Sequence, residues 1–288
     1  MRSLLFVPAD SEKKITKGAA SAADGLILDL EDSVAPQNRP AGRELTRSFL
    51  AQPRTGKTLI VRINPLATPD ALPDLAAVAG GAPDGVMLPK CAGAEEVVRL
   101  DHYLTALEAR EGLPPGQIKI FPIITETAAA MFTTHSYQGA SPRLTALMWG
   151  AEDLSADLGA SRKRREDGQY DDPYRLARTL TLLAAHAAEV IPMDTVFIDY
   201  RDEAGLRAEC LEGRQMGFLG KAAIHPAQIA IINEAYSVTP QEEAWAAQVV
   251  AAFAENPGAG VIGMDGVMLD RPHLRQAERL LERAKAQK

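Results

Sequence analysis

The sequence predicts an α/β fold, a closed (β/α)8 TIM barrel with a C-terminal helical extension, and three observations carry the prediction. Apolar, β-branched runs recur at 3–7, 25–30, 58–63, 85–88, 118–125, 144–149, 195–198 and 217–224. Segments of helical periodicity lie between them, at 11–22, 40–50, 71–79, 94–110, 127–134, 173–189, 202–216 and 227–236. Seven of the runs end on a polar residue able to do chemistry: Asp29, Arg62, Lys90, Glu126, Asp153, Asp199 and His225. Their spacing matches one strand plus a returning helix, and strand carboxyl ends form the mouth of such a barrel. An open doubly wound sheet is the alternative, and it too binds ligands at strand ends.

The elements follow in order from local signals. The first strand, closed by Pro8, is too short for a signal peptide's apolar region, and Asp10-Ser11 stands ahead of the first helix as a capping signal. Asp172-Pro173 marks another helix start, since proline suits the first helical turn. The segment 151–172 reads as a long loop carrying Arg162, Lys163, Arg164 and Arg165, either a solvated surface or a lid that meets a phosphorylated ligand. Residues 1–236 are expected to form the barrel. Residues 237–288 form an extension with a helix at 240–254, a glycine-rich turn, a strand-like piece at 261–269 and a helix from 272, packed outside the barrel or on a neighbouring subunit.

Composition narrows the functional class. A chain of 288 residues suits one barrel, and 46% hydrophobic residues supply its core. A net charge of -7 argues against nucleic acid as a partner. No run approaches the length of a membrane span, so a cytoplasmic protein without a membrane partner is expected. Cys91 and Cys210 show no metal-type spacing and read as structural thiols. The run from Gly258 to Gly263 fits a dinucleotide fingerprint only formally, because it follows a helix instead of a strand.

Glu126 and Asp153 are the leading candidates for chemistry. Each follows an apolar strand, so both carboxylates are expected at one mouth, where two carboxylates with the remaining sites left to water and substrate suit Mg²⁺. Glu152 competes with Asp153 for that place. Asp29, Glu31 and Asp32 crowd acids after the second strand, and like charges so close need a cation; Glu31 and Asp32 are expected to support metal-bound water. Arg62 is the natural carboxylate clamp, with a salt bridge to Asp29 or Glu31 as its structural alternative. Lys90 admits a Schiff base. His225 is either a proton shuttle or a structural hydrogen-bond hub.

Seven ordered blocks then resemble the citrate lyase β-subunit-like branch of the HpcH/HpaI aldolase family: those beginning at Arg2, Leu28, Val61, Leu88, Trp149, Gly220 and Gly266. The resemblance runs from residue 2 to about 280. It implies a Mg²⁺-dependent barrel lyase acting on a 3-hydroxyacyl thioester of CoA or an acyl carrier, with a small 2-oxo acid as the other product. By matching positions, it implies Glu126 and Asp153 as metal ligands and Arg62 as the holder of the oxo acid. Gly150 and Ala151 would offer backbone N–H groups to that acid, with Glu126 beside it. It further implies Asp270 as an acid or base brought in from an adjacent subunit, and a homo-oligomer, a trimer or hexamer. A non-catalytic oxo-acid binder and a Schiff-base aldolase using Lys90 or Lys221 are the competing readings.

Overall fold

The computed structural model describes residues 1–287. Eight parallel strands alternate with helices: β1 (Ser3–Pro8), β2 (Gly25–Asp29), β3 (Thr58–Arg62), β4 (Gly85–Leu88), β5 (Lys119–Pro122), β6 (Ala146–Met148), β7 (Ile191–Asp194) and β8 (Gly220–Ala223). β1 pairs with β2 on one side and β8 on the other; pairing continues to β5 in one direction and to β6 in the other. Two bridges, Ile120 with Leu144 and Ile123 with Met148, join β5 to β6 and close the cylinder. The expected barrel is what forms, and the open sheet is excluded.

Side chains alternate between the two faces of each strand, so one set fills the interior. Leu4, Ile27, Ile60, Met87, Phe121, Ile123, Met148, Met193 and Ala222 make that core. One step further along the same inward rows stand Asp29 after Ile27 and Arg62 after Ile60. The register places Asp29 opposite Arg62. The polar residues at the mouth are therefore a continuation of the core, carried on rigid backbone.

Three local expectations are corrected. The seventh strand is Ile191–Asp194 and not 195–198, which instead forms the turn after it. Pro192 hides the real strand, because a residue without an N–H counts against a central strand. The segment 151–172 opens with a helix, α5 (Ala151–Leu158), started at Gly150 with Glu152 and Asp153 in its first turn and ended by Gly159 in the left-handed region. At 127–134 there is no α-helix but two short 3-10 turns, Ala129–Phe132 and Thr134–Tyr137, and the Thr133 and Thr134 hydroxyls donate to the carbonyls of Ala130 and Met131.

The helices α1 (Glu12–Ala19), α2 (Arg39–Leu50), α3 (Ala71–Val78), α4 (Ala94–Glu111), α6 (Asp172–Ala187), α7 (Glu203–Met216) and α8 (Ile229–Tyr236) complete the repeat. Contacts divide the chain into two compact units, Met1–Ala235 and the remainder from Tyr236. The second unit holds α9 (Pro240–Glu255), β9 (Val261–Met264), β10 (Val267–Asp270) and α10 (Arg271–Ala286) around Ala246, Val249, Phe253, Leu269 and Ala277. The piece read as one strand at 261–269 is a hairpin. Asp265 and Gly266 both adopt positive φ, 50° and 79°, as a two-residue Asp-Gly turn requires.

Candidate active site

The strand ends surround a cavity of about 420 Å³ lined by Phe6, Asp29, Asp32, Arg62, Glu126, Gly150, Ala151, Asp153, Thr195 and Ile224, among others. Glu126 is 3% exposed, and its carboxylate accepts the Lys90 N–H. Lys90 holds φ at 50°, a left-handed conformation unfavourable outside glycine, and this turns its amide toward Glu126. Gly150 lies so close that an added Cβ would sit 2.5 Å from Glu126 Cγ. Close approach, and not backbone freedom, requires glycine there.

Asp153 faces the same cavity, and its Oδ1 lies 3.1 Å from Lys90 Nζ. Glu152 also borders the cavity, but its carboxylate pairs with Lys163, whereas that of Asp153 meets Lys90. Lys90 Nζ also pairs with Glu31 and, at 3.1 Å, with Asp32. One ammonium thus gathers three carboxylates from the ends of two strands.

Arg62 is spent differently from the expectation. Its Nε and Nη2 donate to the two oxygens of Asp29 at 2.7 and 2.6 Å, a bidentate pair buried beneath the mouth. Its Nη1 lies 2.9 Å from Glu31 Oε2 but off the direction of a hydrogen bond, so that oxygen has a charge contact and no donor. The guanidinium stacks 4.8 Å above Phe6. The salt bridge that competed with the clamp forms in full, and only Nη1 and the fixed charge remain for another acid.

Charge and burial set the titration of these groups. Burial, then the charge of Asp153, pushes Glu126 up to about 8. Burial also raises Glu31, partly offset by Arg62 and Lys90. For Asp29 burial works in the same direction, yet Arg62 outweighs it and holds the carboxyl below its ordinary value. Burial alone would lower Lys90, but Glu31, Asp153 and Glu126 reverse this and raise it. A Schiff-base lysine needs a depressed pKa, which Lys90 lacks. Lys221 is no better suited: it is fully buried, salt-bridged to Glu209 and Asp194, and raised by them.

Other candidates fall away from the cavity. Asp199 sits in an exposed turn and caps the Arg201 N–H. His225 Nδ1 accepts the Ala227 N–H, and its ring stacks 4.5 Å from Tyr200, the hub role and not the shuttle. Arg162, Lys163, Arg164 and Arg165 are paired with Asp171, Glu152, Glu209 and Asp172, so this loop offers no ready phosphate site. The two thiols are buried and pushed up to about 11 and about 12 by burial, as inert structural cysteines should be. Asp270 lies in the second unit, where it caps α10 and stands 2.6 Å from His273 Nδ1.

Sequence reasoning missed a second cavity of about 290 Å³ that shares Phe6, Pro8 and Ile224 with the first. Lys14, Lys17 and His225 line it. The signal was present, two lysines one turn apart on the helix after β1. Among the described residues no helix is long and apolar enough to cross a membrane.

The family model for HpcH/HpaI aldolase/citrate lyase matches residues 2–226. A citrate lyase subunit beta-like protein of Mycobacterium tuberculosis is 39% identical over 97% of this chain and 94% of its own. A (3S)-malyl-CoA thioesterase of Cereibacter sphaeroides is 37% identical over 99% and 95%. Among solved structures, CitE from M. tuberculosis in complex with magnesium, acetoacetate and coenzyme A superposes with a TM-score of 0.79 at 37% identity, covering 99% of this chain and 98% of that one. A shared barrel, a matched domain and near-complete overlap lead to one conclusion: this chain belongs to the HpcH/HpaI aldolase/citrate lyase family.

Proposed function

We propose that this protein is a Mg²⁺-dependent carbon–carbon lyase acting on a 3-hydroxyacyl thioester of the citryl-, malyl- or citramalyl-CoA type. The products are an acetyl thioester and a 2-oxo acid such as oxaloacetate, glyoxylate or pyruvate, and the reverse condensation uses the same groups. The observation that carries this reading is the turning of Glu126 and Asp153 into one cavity, where burial and mutual charge push Glu126 up to about 8.

That arrangement fits a divalent ion. Among the described residues no cluster of three or more His, Cys, Asp or Glu is placed to hold a metal. Two carboxylates with the other positions left open are nevertheless what Mg²⁺ accepts, since it keeps several waters and takes substrate oxygens. Bound between Glu126 and Asp153, the ion would supply Lewis-acid stabilisation of the negative charge that develops on oxygen. Relatives support it, since CitE was crystallised with magnesium.

The chain's own residues do the rest. Arg62 adds a fixed positive charge, with Asp29 locking its plane and Nη1 in charge contact with Glu31. Gly150 and Ala151 bring the N-terminal N–H groups of α5 to the cavity wall, suited to the acid's carboxylate. Glu31 and Asp32 hold the Lys90 ammonium and orient water beside Asp153. The cavity at Lys14 and Lys17 suits the anionic arm of CoA or an acyl carrier. On cleavage the substrate hydroxyl gives its proton to water at the mouth, the freed O–H pair becomes the carbonyl of the 2-oxo acid, and the carbon–carbon bonding pair passes to the acetyl thioester as an enolate, which a proton then quenches at carbon. Asp270 of a neighbouring subunit, in a trimer or hexamer, is the acid, and in condensation the base that takes the methyl proton.

The test is acetyl-CoA formation from a panel of hydroxyacyl-CoA esters, with Glu126→Ala as control. Release of a 2-oxo acid, lost in EDTA and restored by Mg²⁺, is expected. Free hydroxy acid plus CoA without any oxo acid would make the protein a thioesterase, as one relative is named. Oxaloacetate binding without turnover would leave a binder, and borohydride trapping on lysine would restore the Schiff-base reading. Mixed oligomers of inactive Asp270→Ala and Glu126→Ala chains should regain activity; none in verified mixtures would remove Asp270 from that role.

A further inference from the structure

Asp194 ends β7 with its side chain outside the barrel, opposite to the inward Met193. It is fully buried, and both oxygens are occupied. Oδ1 accepts the indole N–H of Trp149 at 2.7 Å and the N–H of Thr195 at 3.0 Å. Oδ2 accepts from Arg178 at 2.9 Å and stands 3.5 Å from Lys221 Nζ. Trp149 immediately precedes Gly150 and Ala151, and Thr195 precedes Val196; all of these line the cavity.

We propose that Asp194 is a positioning residue for the 2-oxo acid, holding together through Trp149 and Thr195 the two strand-end turns that form one wall of its pocket. This rests on the lyase reading and adds a residue to it. The geometry gives the indole a fixed anchor, because hydrogen bonds to an ionised carboxylate are stronger than those between neutral groups. Trp149 has no exposure and packs edge-on against Tyr170 with ring centres 5.2 Å apart. Its backbone cannot swing without moving Gly150, whose Cα lies beside Glu126 with no room for a side chain between them. The position of the acid's N–H donors and that of a carboxylate facing the cavity are thereby tied to one buried anion on the far side of the wall.

A merely structural network would stabilise the barrel without distinguishing one substrate from the other. Trp149→Phe separates the two roles, since it removes the indole N–H and leaves Asp194 paired with Arg178 and Lys221. In the full-length protein with saturating Mg²⁺, the 2-oxo acid KM of condensation should rise roughly tenfold, the worth of one hydrogen bond to a charged group. The KM for acetyl-CoA should stay within about twofold, as the anchored turns carry none of the lysine-lined cavity. A folded variant with an unchanged oxo-acid KM, or with both KM values raised alike, overturns the proposal while leaving the lyase reading intact. Wild-type protein that neither turns over nor binds any of glyoxylate, pyruvate and oxaloacetate removes both together.

Should Trp149→Phe fail to fold, 5-fluorotryptophan incorporated at the chain's two tryptophans decides the matter. Trp245→Phe assigns the remaining ¹⁹F resonance to Trp149. Saturation with the bound oxo acid should shift that resonance; a resonance unmoved at saturation overturns the proposal.

Discussion

Two charge clusters, each built around buried groups, lie on opposite faces of the barrel wall and differ in balance. On the outer face of the wall, Asp194, Glu209 and Glu212 meet Arg178, Lys221 and Arg164, three anions against three cations. At the mouth, Asp29, Glu31, Asp32, Glu126 and Asp153 meet only Arg62 and Lys90, five against two. In the outer cluster burial opposes ionisation of Asp194, but Lys221 and Arg178 keep it below its ordinary range. At the mouth Glu126 is driven the other way. The lesson is that a balanced network needs nothing further, whereas an excess of anions facing a cavity calls for a cation from outside.

The largest effect that would break this comparison is in the outer cluster. Lys221→Met leaves Asp194 and Glu209 short of a partner, and an uncompensated buried charge costs about 3 to 5 kcal/mol. Chemical denaturation measures it; a loss below 1 kcal/mol would mean that the network is not in balance. Next comes Glu126→Gln, which should weaken Mg²⁺ binding by more than the roughly 100-fold upper range seen when residues behind a metal ligand are changed. Calorimetric titration reads this directly, and unchanged affinity would place the ion elsewhere.

A smaller effect follows from acidity. Glu126 has a folded-state value of about 8 against an ordinary 4.5, so its contribution to stability is complete below 4.5 and is lost as pH rises through 8. Metal-free protein should therefore show a Tm that falls across that window, flattened in Glu126→Gln and offset by added Mg²⁺. A wild-type profile parallel to that of the variant would show that Glu126 does not titrate as its surroundings dictate. The smallest effect is expected from Arg207→Ala, which breaks an exposed, solvent-screened pair with Glu234 and should leave Tm nearly unchanged. That substitution sets the scale against which the two clusters are judged.

Much of the site was legible because barrel strands announce themselves and their ends are fixed by them. Glu126, Arg62 and Lys90 were read from the residue that follows an apolar run, and the structure brings all three to one mouth. In strand seven Pro192 breaks the pattern while the β-branched 195–198 imitates one, so the sequence points to Asp199 where the strand ends on Asp194. The hairpin at 261–270 carries its signal in the turn dipeptide Asp265-Gly266, which splits the apolar run into two strands.

Periodicity alone determined the eight alternating strand–helix units, since alternation along a strand and the length of one unit are local properties carried by each segment, while closure into a barrel was decided by the bridges between β5 and β6. Which acid of the pair Glu152 and Asp153 meets Lys90, whether the Arg62 fork is spent on Asp29, and how Trp149 reaches Asp194 were decided only in three dimensions. Those contacts join residues from different strands, and their geometry depends on barrel closure and on competition for a few buried charges, neither of which leaves a mark on neighbouring residues in the chain.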